Sequence, residues 1–491
     1  MRDVHARLRN ALSYAALAVL AFWAVYRFAE GTTPLRPEEY CWDSALFQTV
    51  GKLWAQGLVP YRDVFDHKGP LLFWIQKLAW SGPEPRMGLY VLESLFVTAA
   101  LWLCHAGLRL YMGRAASFAS TVLTLVFWLP LMEYGNLCET YCMPFLMLAL
   151  YGQLRWLRCP EQDHPPVYAL VYGLCFGANL MIRPNNGIMI CTVTCAIAVT
   201  LVWRRAWKNL LVNALALLAG VTLAVLPFAA WFAAKGALKE MIYATWTFNL
   251  RYAAATASSL DGGMLRGVLF FLTPALLCFG TAAVCLVQKR WLWTAVNALS
   301  AAGTLLMTVT GACYAHYFML HVPLIALAFC SMRGLMQGRV WRAVLSAALV
   351  VFALVAVRTT WQAAKPVFAP TAEENTAYAL RRVQMEQLQN AIPQEARSSV
   401  AFCGLSSADM DVFLKTDLLP AVRYCFLTEW HAQADPQIQT EYLTALQEGK
   451  AEYLILHREN TRNASVMQAI EAFYHPEGIY GEYELYQIKT R

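Results

Sequence analysis

The sequence predicts a polytopic α-helical membrane protein of about eleven transmembrane helices that ends in a small soluble α/β domain. Three observations predict it. Of 491 residues, 58% are hydrophobic and only 14% charged, against about 25% charged in an ordinary soluble domain. The charge is also uneven: 42 charged residues fall in 1–357, net +12, and 29 in 358–491, net −5. Apolar runs of roughly 17–25 residues recur through the first part, each near the length that crosses about 30 Å of hydrocarbon. The division expected from this is a membrane region over 1–357, a linker over 358–371 marked by Pro366 and Pro370, and an α/β domain over 372–491.

The expected spans, in order, are 11–28, 87–108, 115–132, 141–157, 166–182, 187–203, 209–233, 267–287, 291–310, 316–332 and 342–357. Basic residues decide their direction. Arg2, Arg7 and Arg9 precede the first span, and alternate connections carry Arg109 and Arg114, Arg155 and Arg158, Arg204, Arg205 and Lys208, Lys289 and Arg290, and Arg333, Arg339 and Arg342. The short turns on the other side hold one basic residue, Arg183. The positive-inside rule then places the N-terminus in the cytoplasm and the C-terminal domain outside. No small-residue cleavage signal follows the first span, which reads as a retained anchor. The same pattern, small basic clusters between spans, argues against a nucleic-acid partner despite the net charge of +7. Most of the 14 cysteines lie inside spans as small apolar residues. Only Cys403 and Cys425 share the soluble domain; a disulfide and simple core packing both fit them.

Two outer loops are long. In 29–86, the stretches 43–57 and 71–80 are amphipathic at helical spacing and are expected to lie as helices on the membrane surface. The loop 234–266 carries Tyr243, Trp246, Phe248 and Tyr252 at its middle. After the linker, helical patterns near 373–391, 437–448 and 464–474 alternate with β-rich runs near 399–404, 422–427, 452–457 and 482–489. No Gly-rich phosphate loop or nucleophile elbow occurs there, so the domain reads as a scaffold or acceptor-docking module.

Polar residues gather on the expected outer face. The densest run is Tyr61-Arg62-Asp63-Val64-Phe65-Asp66-His67-Lys68-Gly69-Pro70, with Trp42-Asp43-Ser44 upstream. Other outer ends offer Glu133 and Glu139, Arg183, Arg251, and His316 with Tyr317. Carboxylates there can act as base or hold a divalent metal, while cations can hold a phosphate. A lipid-phosphate sugar donor needs both kinds of group, because its phosphate is neutralised as it leaves and the acceptor hydroxyl must lose a proton.

At these residues the chain resembles a family. The segments Trp42–Phe47, Pro60–Leu71, Gly135–Tyr141, Ile182–Asn185 and Ala315–Tyr317 together look like the GT-C membrane glycosyltransferases of bacteria, the group holding the aminoarabinose lipid A transferases, protein O-mannosyltransferases and RgtA/B/C/D-like enzymes. The likeness covers about 1–330. It implies sugar transfer from a polyprenyl-phosphate donor to a lipid, glycan or protein acceptor, with inversion, in the cytoplasmic membrane of a bacterium. It further implies that Asp43 is the acid of the first outer loop, as base or acceptor orienter. Glu139 would be the second acid, with Asp66 as a further carboxylate. Lys68 would contact the donor phosphate, joined by Arg183, His316 and Arg251. No organic cofactor is implied. Many members carry a double proline after the lysine; Gly69-Pro70 stands here, which leaves the sugar and the acceptor open.

Plainer roles stand beside each of these. Asp43 could cap the following helix, Lys68 could snorkel, and Glu139 could complement a helix dipole. Asp63 or Asp66 could brace the loop through Arg62. Glu93, two turns inside the second span, is either functional or a helix–helix hydrogen bond. A transporter or flippase of envelope lipids is the alternative for the whole chain. Such a protein should carry its charges near mid-membrane on broken helices and show an internal repeat. Here most charges lie in outer loops and no repeat is visible, which favours the enzyme.

Overall fold

The computed structural model describes residues 2–256, 269–309, 314–335, 339–404, 406–425, 429–460 and 463–489. Among these, nine helices are long and apolar enough to cross a membrane: Leu8–Phe28, Pro85–Arg109, Arg114–Leu131, Pro184–Trp203, Trp207–Ala234, Phe270–Val287, Trp291–Val309, Ala315–Arg333 and Arg342–Ala363. They match nine of the eleven expected spans. The other two are helices of a different kind. Cys138–Trp156 carries Glu139, Gln153 and Arg155 and is buried along most of its length. Its Gln153 amide donates to the Ile190 carbonyl and the Thr194 hydroxyl, so its polarity is satisfied by neighbouring helices. Pro166–Leu180 is apolar but only 15 residues long. The protein is a multi-pass membrane protein. Residues 257–266 of the expected outer loop and 311–313 of the expected outer turn lie outside the described residues.

The chain divides into two compact units. The first comprises 1–33, 90–228 and 258–367, the second 34–89, 229–257 and 368–491. The C-terminal tail thus shares its unit with the two long connections.

In the first unit, Trp128, Leu150, Val193, Phe318 and Leu327 belong to one continuous buried core. The Trp207–Ala234 helix is largely exposed along its length, as a lipid-facing helix should be, and is held by small residues. Gly173 and Gly177, four apart on Pro166–Leu180, face Leu217, Val221 and Ala224, and Gly220 faces the backbone of Leu170 and Leu174. A Cβ at Gly173 would run into the Leu217 carbonyl, and one at Gly177 would come within 2.7 Å of the Ala224 Cβ. Close backbone approach at small-xxx-small positions is how membrane helices gain packing without a hydrophobic driving force.

In the second unit, both expected amphipathic stretches are helices, Trp42–Ala55 and Pro70–Trp80. They pack on each other where Gly51 lies against Gln76, burying Phe47, Val50 and Leu53 from one and Leu72, Phe73 and Ile75 from the other. The tail forms a four-stranded sheet of β1 (Val400–Cys403), β2 (Tyr453–His457), β3 (Tyr474–Tyr480) and β4 (Tyr483–Ile488), in the order β1-β2-β4-β3. β1 and β2 run parallel; β4 is antiparallel to both β2 and β3. Helices Ala372–Asn390, Pro436–Gln447 and Ala464–Phe473 stand where their patterns predict.

Two sheet expectations change. Residues 422–425 of the run 422–427 form no strand, and 426–427 are outside the described residues. Pro420 makes only an isolated bridge to Val400 and has no N–H with which to extend a ladder; the Arg423 carbonyl instead accepts from Phe65 N at 2.7 Å. β3 is the unforeseen strand. It contains Pro476 and Gly478, lies at the sheet edge and shifts register between those residues, which is where Pro and Gly are tolerated. Cys403 and Cys425 are buried free thiols.

The tail is fastened to the 34–89 connection by polar contacts within the second unit. Lys52 Nζ donates to the carbonyls of Phe413, Leu414 and Thr416 at 2.8, 3.3 and 2.7 Å, closing the C-terminal end of Asp411–Lys415 as a cation should. Burial pushes this ammonium down to about 8, and the three carbonyls replace the water it has lost. Arg36 pairs with Glu374 at 2.9 Å, and Tyr378 donates to Glu39.

Replacing Gly173 by Leu should push the Pro166–Leu180 and Trp207–Ala234 helices apart. Overpacking of this kind costs about 1–3 kcal/mol. The expected result is a lower melting temperature for detergent-purified G173L by fluorescence-detected size exclusion, with the conservative G173A less affected. An unchanged melting temperature in G173L would contradict the packing described.

Candidate active site

The sequence-predicted site residues fall into both units, three in the first and four in the second. In the first unit, the chain leaves Arg114–Leu131 through a tight turn before Cys138–Trp156 begins. Glu133 and Asn136 hold φ of +46° and +56°, and Gly135 +71°. Asn accepts that region readily and Glu does not, so the turn needs support. Glu93 supplies part of it: its carboxylate accepts from the Asn136 backbone N–H at 3.0 Å and from the Thr32 hydroxyl. Gly31 N–H donates to Tyr134 O, and Tyr141 donates to Asn136 Oδ1 at 2.6 Å. Glu93 therefore ties its own span to two turns, at Thr32 and at Asn136, where the plainer expectation is a helix–helix hydrogen bond.

The turn delivers two carboxylates. Glu139, in the first turn of Cys138–Trp156 and 1% exposed, forms an ion pair with Arg183. The Arg183 guanidinium also lies over the Tyr317 ring, 4.0 Å from its centroid. Glu133 pairs with His316 Nδ1 at 2.8 Å, and the His316 ring stacks on Tyr314 and meets Tyr317 edge-on. Glu139, Arg183 and His316 are thus brought into one network, the Arg183–Glu139 ion pair and the His316–Glu133 contact joined by Tyr317. Such a network can hold an anion beside its guanidinium while the carboxylate fixes its geometry.

In the second unit, the Pro60–Pro70 block folds on itself. Tyr61 holds φ +69°, its N–H bonds Val64 O at 2.7 Å, and its hydroxyl donates to Lys68 O at 2.8 Å. Asp63 is bonded by Arg62 at both oxygens and by Val59 N, so it braces the loop. Asp66 faces inward, 1% exposed. Its Oδ1 accepts from Lys68 N at 2.7 Å, and its Oδ2 has no hydrogen-bond partner among the described residues. Burial holds the Asp66 carboxyl above the usual range; Lys68 and the backbone N–H groups offset part of that, and Asp43 adds to it. Lys68 Nζ lies 2.7 Å from His67 Nε2 and 5.9 Å from the Phe47 ring centroid.

Asp43 occupies the first turn of Trp42–Ala55, half-buried. The cap position is Cys41, with no side-chain cap hydrogen bond, so the helix-capping role is not the one Asp43 plays. Its neighbour Trp42 holds φ +35°. Four non-glycine residues in left-handed backbone, Trp42, Tyr61, Glu133 and Asn136, thus flank the candidate carboxylates, and such strain gathers at functional sites.

Arg251, the remaining expected phosphate ligand, pairs with Asp435 of the tail, which also accepts from the Tyr243 hydroxyl at 2.6 Å and caps Pro436–Gln447. A π-helical segment, Tyr243–Phe248, sets this geometry. Asn249 Nδ2 serves its carbonyls Ala244 and Thr245 and reaches His67 O at 2.8 Å. Asn249, Thr32 and Asn136 are the positioning residues that sequence did not single out. Only the aromatic run around 243–252 hinted at the first of them. Among the described residues, no three His, Cys, Asp or Glu side chains gather to hold a metal ion.

A family model described as "Putative competence-induced protein Ccs4 N-terminal domain" matches residues 46–342. Comparison with curated proteins finds no match. Among solved structures, ArnT from Cupriavidus metallidurans in the apo state matches with TM-score 0.57 and 9% identity, over 98% of this chain and 98% of that one. ArnT of the same organism bound to undecaprenyl phosphate matches with TM-score 0.53 and 10% identity, over 97% of each chain. ArnT has the GT-C fold, and so does this chain.

Replacing Arg183 by Ala should leave a buried Glu139 unpaired. Breaking one partner of a buried pair costs about 3–5 kcal/mol. R183A should therefore melt well below wild type, and the double variant R183A/E139Q should recover part of the loss. Equal melting of R183A and wild type would show that the pair carries no such energy.

Proposed function

The chain belongs to the competence-induced Ccs4 N-terminal-domain family, and we propose that it is an integral-membrane glycosyltransferase of the bacterial cytoplasmic membrane. It moves a sugar from a polyprenyl-phosphate donor to a lipid, glycan or protein acceptor of the cell envelope. The observation that carries this is the GT-C fold over nearly the whole chain, shared with a protein whose structure holds undecaprenyl phosphate, in a chain where Asp66 has both Lys68 and Asp43 as charged neighbours.

The N-terminus is cytoplasmic and the tail extracytoplasmic. The membrane region is 1–357, the linker 358–371 and the α/β domain 372–491. Lys68 holds the donor phosphate: Asp66 fixes its backbone from below, and its ammonium meets the charge that grows as the phosphate leaves. In the first unit, Arg183 and His316, each held by a carboxylate, are the further groups we assign to phosphate binding. Asp43 orients the acceptor hydroxyl and takes its proton. The acceptor oxygen bonds to the anomeric carbon, the C–O bond to phosphate breaks with its electron pair going to phosphate, and the sugar is delivered with inversion. Arg251, held by Asp435, fastens the tail and is a further cation of the second unit for phosphate.

The test is sugar transfer by purified protein from a polyprenyl-phosphate donor. Asp43→Asn keeps size and packing but cannot act as base. It should lower transfer by at least about a hundredfold and leave donor binding intact. Lys68→Ala should weaken donor binding instead. Transfer at the wild-type rate by D43N would remove Asp43 as base, and unchanged donor affinity in K68A would remove Lys68 as phosphate ligand.

Orientation has its own test. A phosphatase reporter fused after the last span, near residue 364, should be active, and a cytoplasm-dependent fluorescent reporter at the same point dark. The reverse would move every proposed site to the wrong side of the membrane.

A further inference from the structure

We propose that the first unit binds the phosphate of an anionic phospholipid headgroup at the end of the bundle that carries its basic connections. An open cavity of about 440 Å³ lies there, lined by Asn10, Tyr14, Arg109, Arg114 and Tyr151 among others. These side chains come from four helices, Arg2–Phe28, Pro85–Arg109, Arg114–Trp128 and Cys138–Trp156, all meeting within one unit. The site is independent of the proposed sugar transfer.

Charge is the first argument. Two guanidinium groups share the cavity, and among the described residues no carboxylate pairs with either. Arg109 Nη1 reaches only the Met112 carbonyl, at 3.3 Å. The Arg114–Trp128 helix begins here from Gly113 with no side-chain cap, so its positive end adds to the field. Asn10, Tyr14 and Tyr151 supply neutral donors beside the two cations. The combination of bidentate-capable cations, uncapped helix N–H groups and hydroxyls is the recognition chemistry of a phosphate.

Apolar surface beside the cavity argues for a lipid over a soluble anion. Trp102, 41% exposed on its span, donates its indole N–H to the Tyr14 carbonyl at 2.8 Å and meets the Tyr14 ring edge-on at 5.8 Å. Leu12, on the same helix as Asn10 and Tyr14, is 58% exposed. An acyl chain leaving the cavity would therefore run along apolar side chains. Basic pockets between transmembrane helices take anionic headgroups in this way.

The test uses the full-length protein purified in detergent and native mass spectrometry. The probes are phosphatidylglycerol and phosphatidylcholine of the same chains, with glycerol 1-phosphate as soluble competitor. Phosphatidylglycerol should be retained more strongly than phosphatidylcholine, weaken with added salt, and resist excess glycerol 1-phosphate. The double variant R109Q/R114Q should lose about tenfold or more of that retention. K208Q, an exposed cation on another basic connection, should behave as wild type. The double lysine variant R109K/R114K keeps both charges and should retain most of the binding, which covers a misfolded glutamine variant. Equal retention of the two lipids, no salt dependence, wild-type binding by R109Q/R114Q, or displacement by glycerol 1-phosphate would each overturn the proposal.

Discussion

A charge taken out of water must be given a partner, and that requirement organises both units of this protein. The Born cost of an isolated buried ion is far larger than the stability of a domain. Glu139 is buried, so Arg183 is drawn to it, and Tyr317 in turn covers the guanidinium. Asp435 is buried, so Arg251 and Tyr243 close on it. Lys52 loses its water, and three carbonyls at one helix end accept its hydrogen bonds. Each solution ties together segments far apart in sequence. The charged residues that make the chain a candidate enzyme are therefore also the ones that hold its non-helical segments in place.

The backbone carries the complementary constraint. A tight turn near a membrane face must satisfy its N–H and C=O groups with protein. The 132–137 turn does so through Glu93, Gly31 and Tyr141, and it tolerates left-handed Glu133 and Asn136 because those contacts over-determine it. The Pro60–Pro70 block uses its own Tyr61, Asp63 and Asp66 in the same way. In the Pro60–Pro70 block, the Asp66 Oδ2 atom of the candidate site is left with no hydrogen-bond partner among the described residues.

These constraints explain what could be read from the sequence. Helices were legible because apolar length is a local signal: each expected span appears as a helix, though Cys138–Trp156 is more polar and Pro166–Leu180 shorter than a free-standing span. Asp43, Lys68 and Glu139 stood out because acids and cations clustered in connections between apolar runs. Who pairs with whom did not. The pairing of Glu139 with Arg183 depends on how two helices pack, and nothing in the spacing of 44 residues announces it. Nothing singled out Lys52 within the amphipathic stretch 43–57, because its acceptors are carbonyls more than 360 residues away. β3 was hidden by Pro476 and Gly478, which are strand breakers everywhere except at an edge with a register shift. The run 422–427 misled for the opposite reason: Val422, Tyr424, Cys425 and Phe426 favour strands, but Pro420 cannot donate to the ladder and Phe65 claims the Arg423 carbonyl.

The last of these contacts bears on why the tail shares a compact unit with the 34–89 connection. Phe65 lies in the same block as Asp66 and Lys68. Its N–H bonds to Arg423, and its ring packs on Tyr424 and His431. Asn249 meanwhile holds the His67 carbonyl, and the π-helical segment that precedes it carries Tyr243 to Asp435. The backbone on both sides of Asp66 is thus gripped by residues from the tail and from 229–257. A tail that only docked acceptors would have no need to bond the loop holding the candidate phosphate ligand. Its contacts instead fix where Lys68 and Asp66 stand, so the packing of the tail and the geometry of the loop are mechanically one thing. That coupling follows from the order of the chain: the loop precedes the second span and the tail follows the last, and only folding brings their polar groups to satisfy one another.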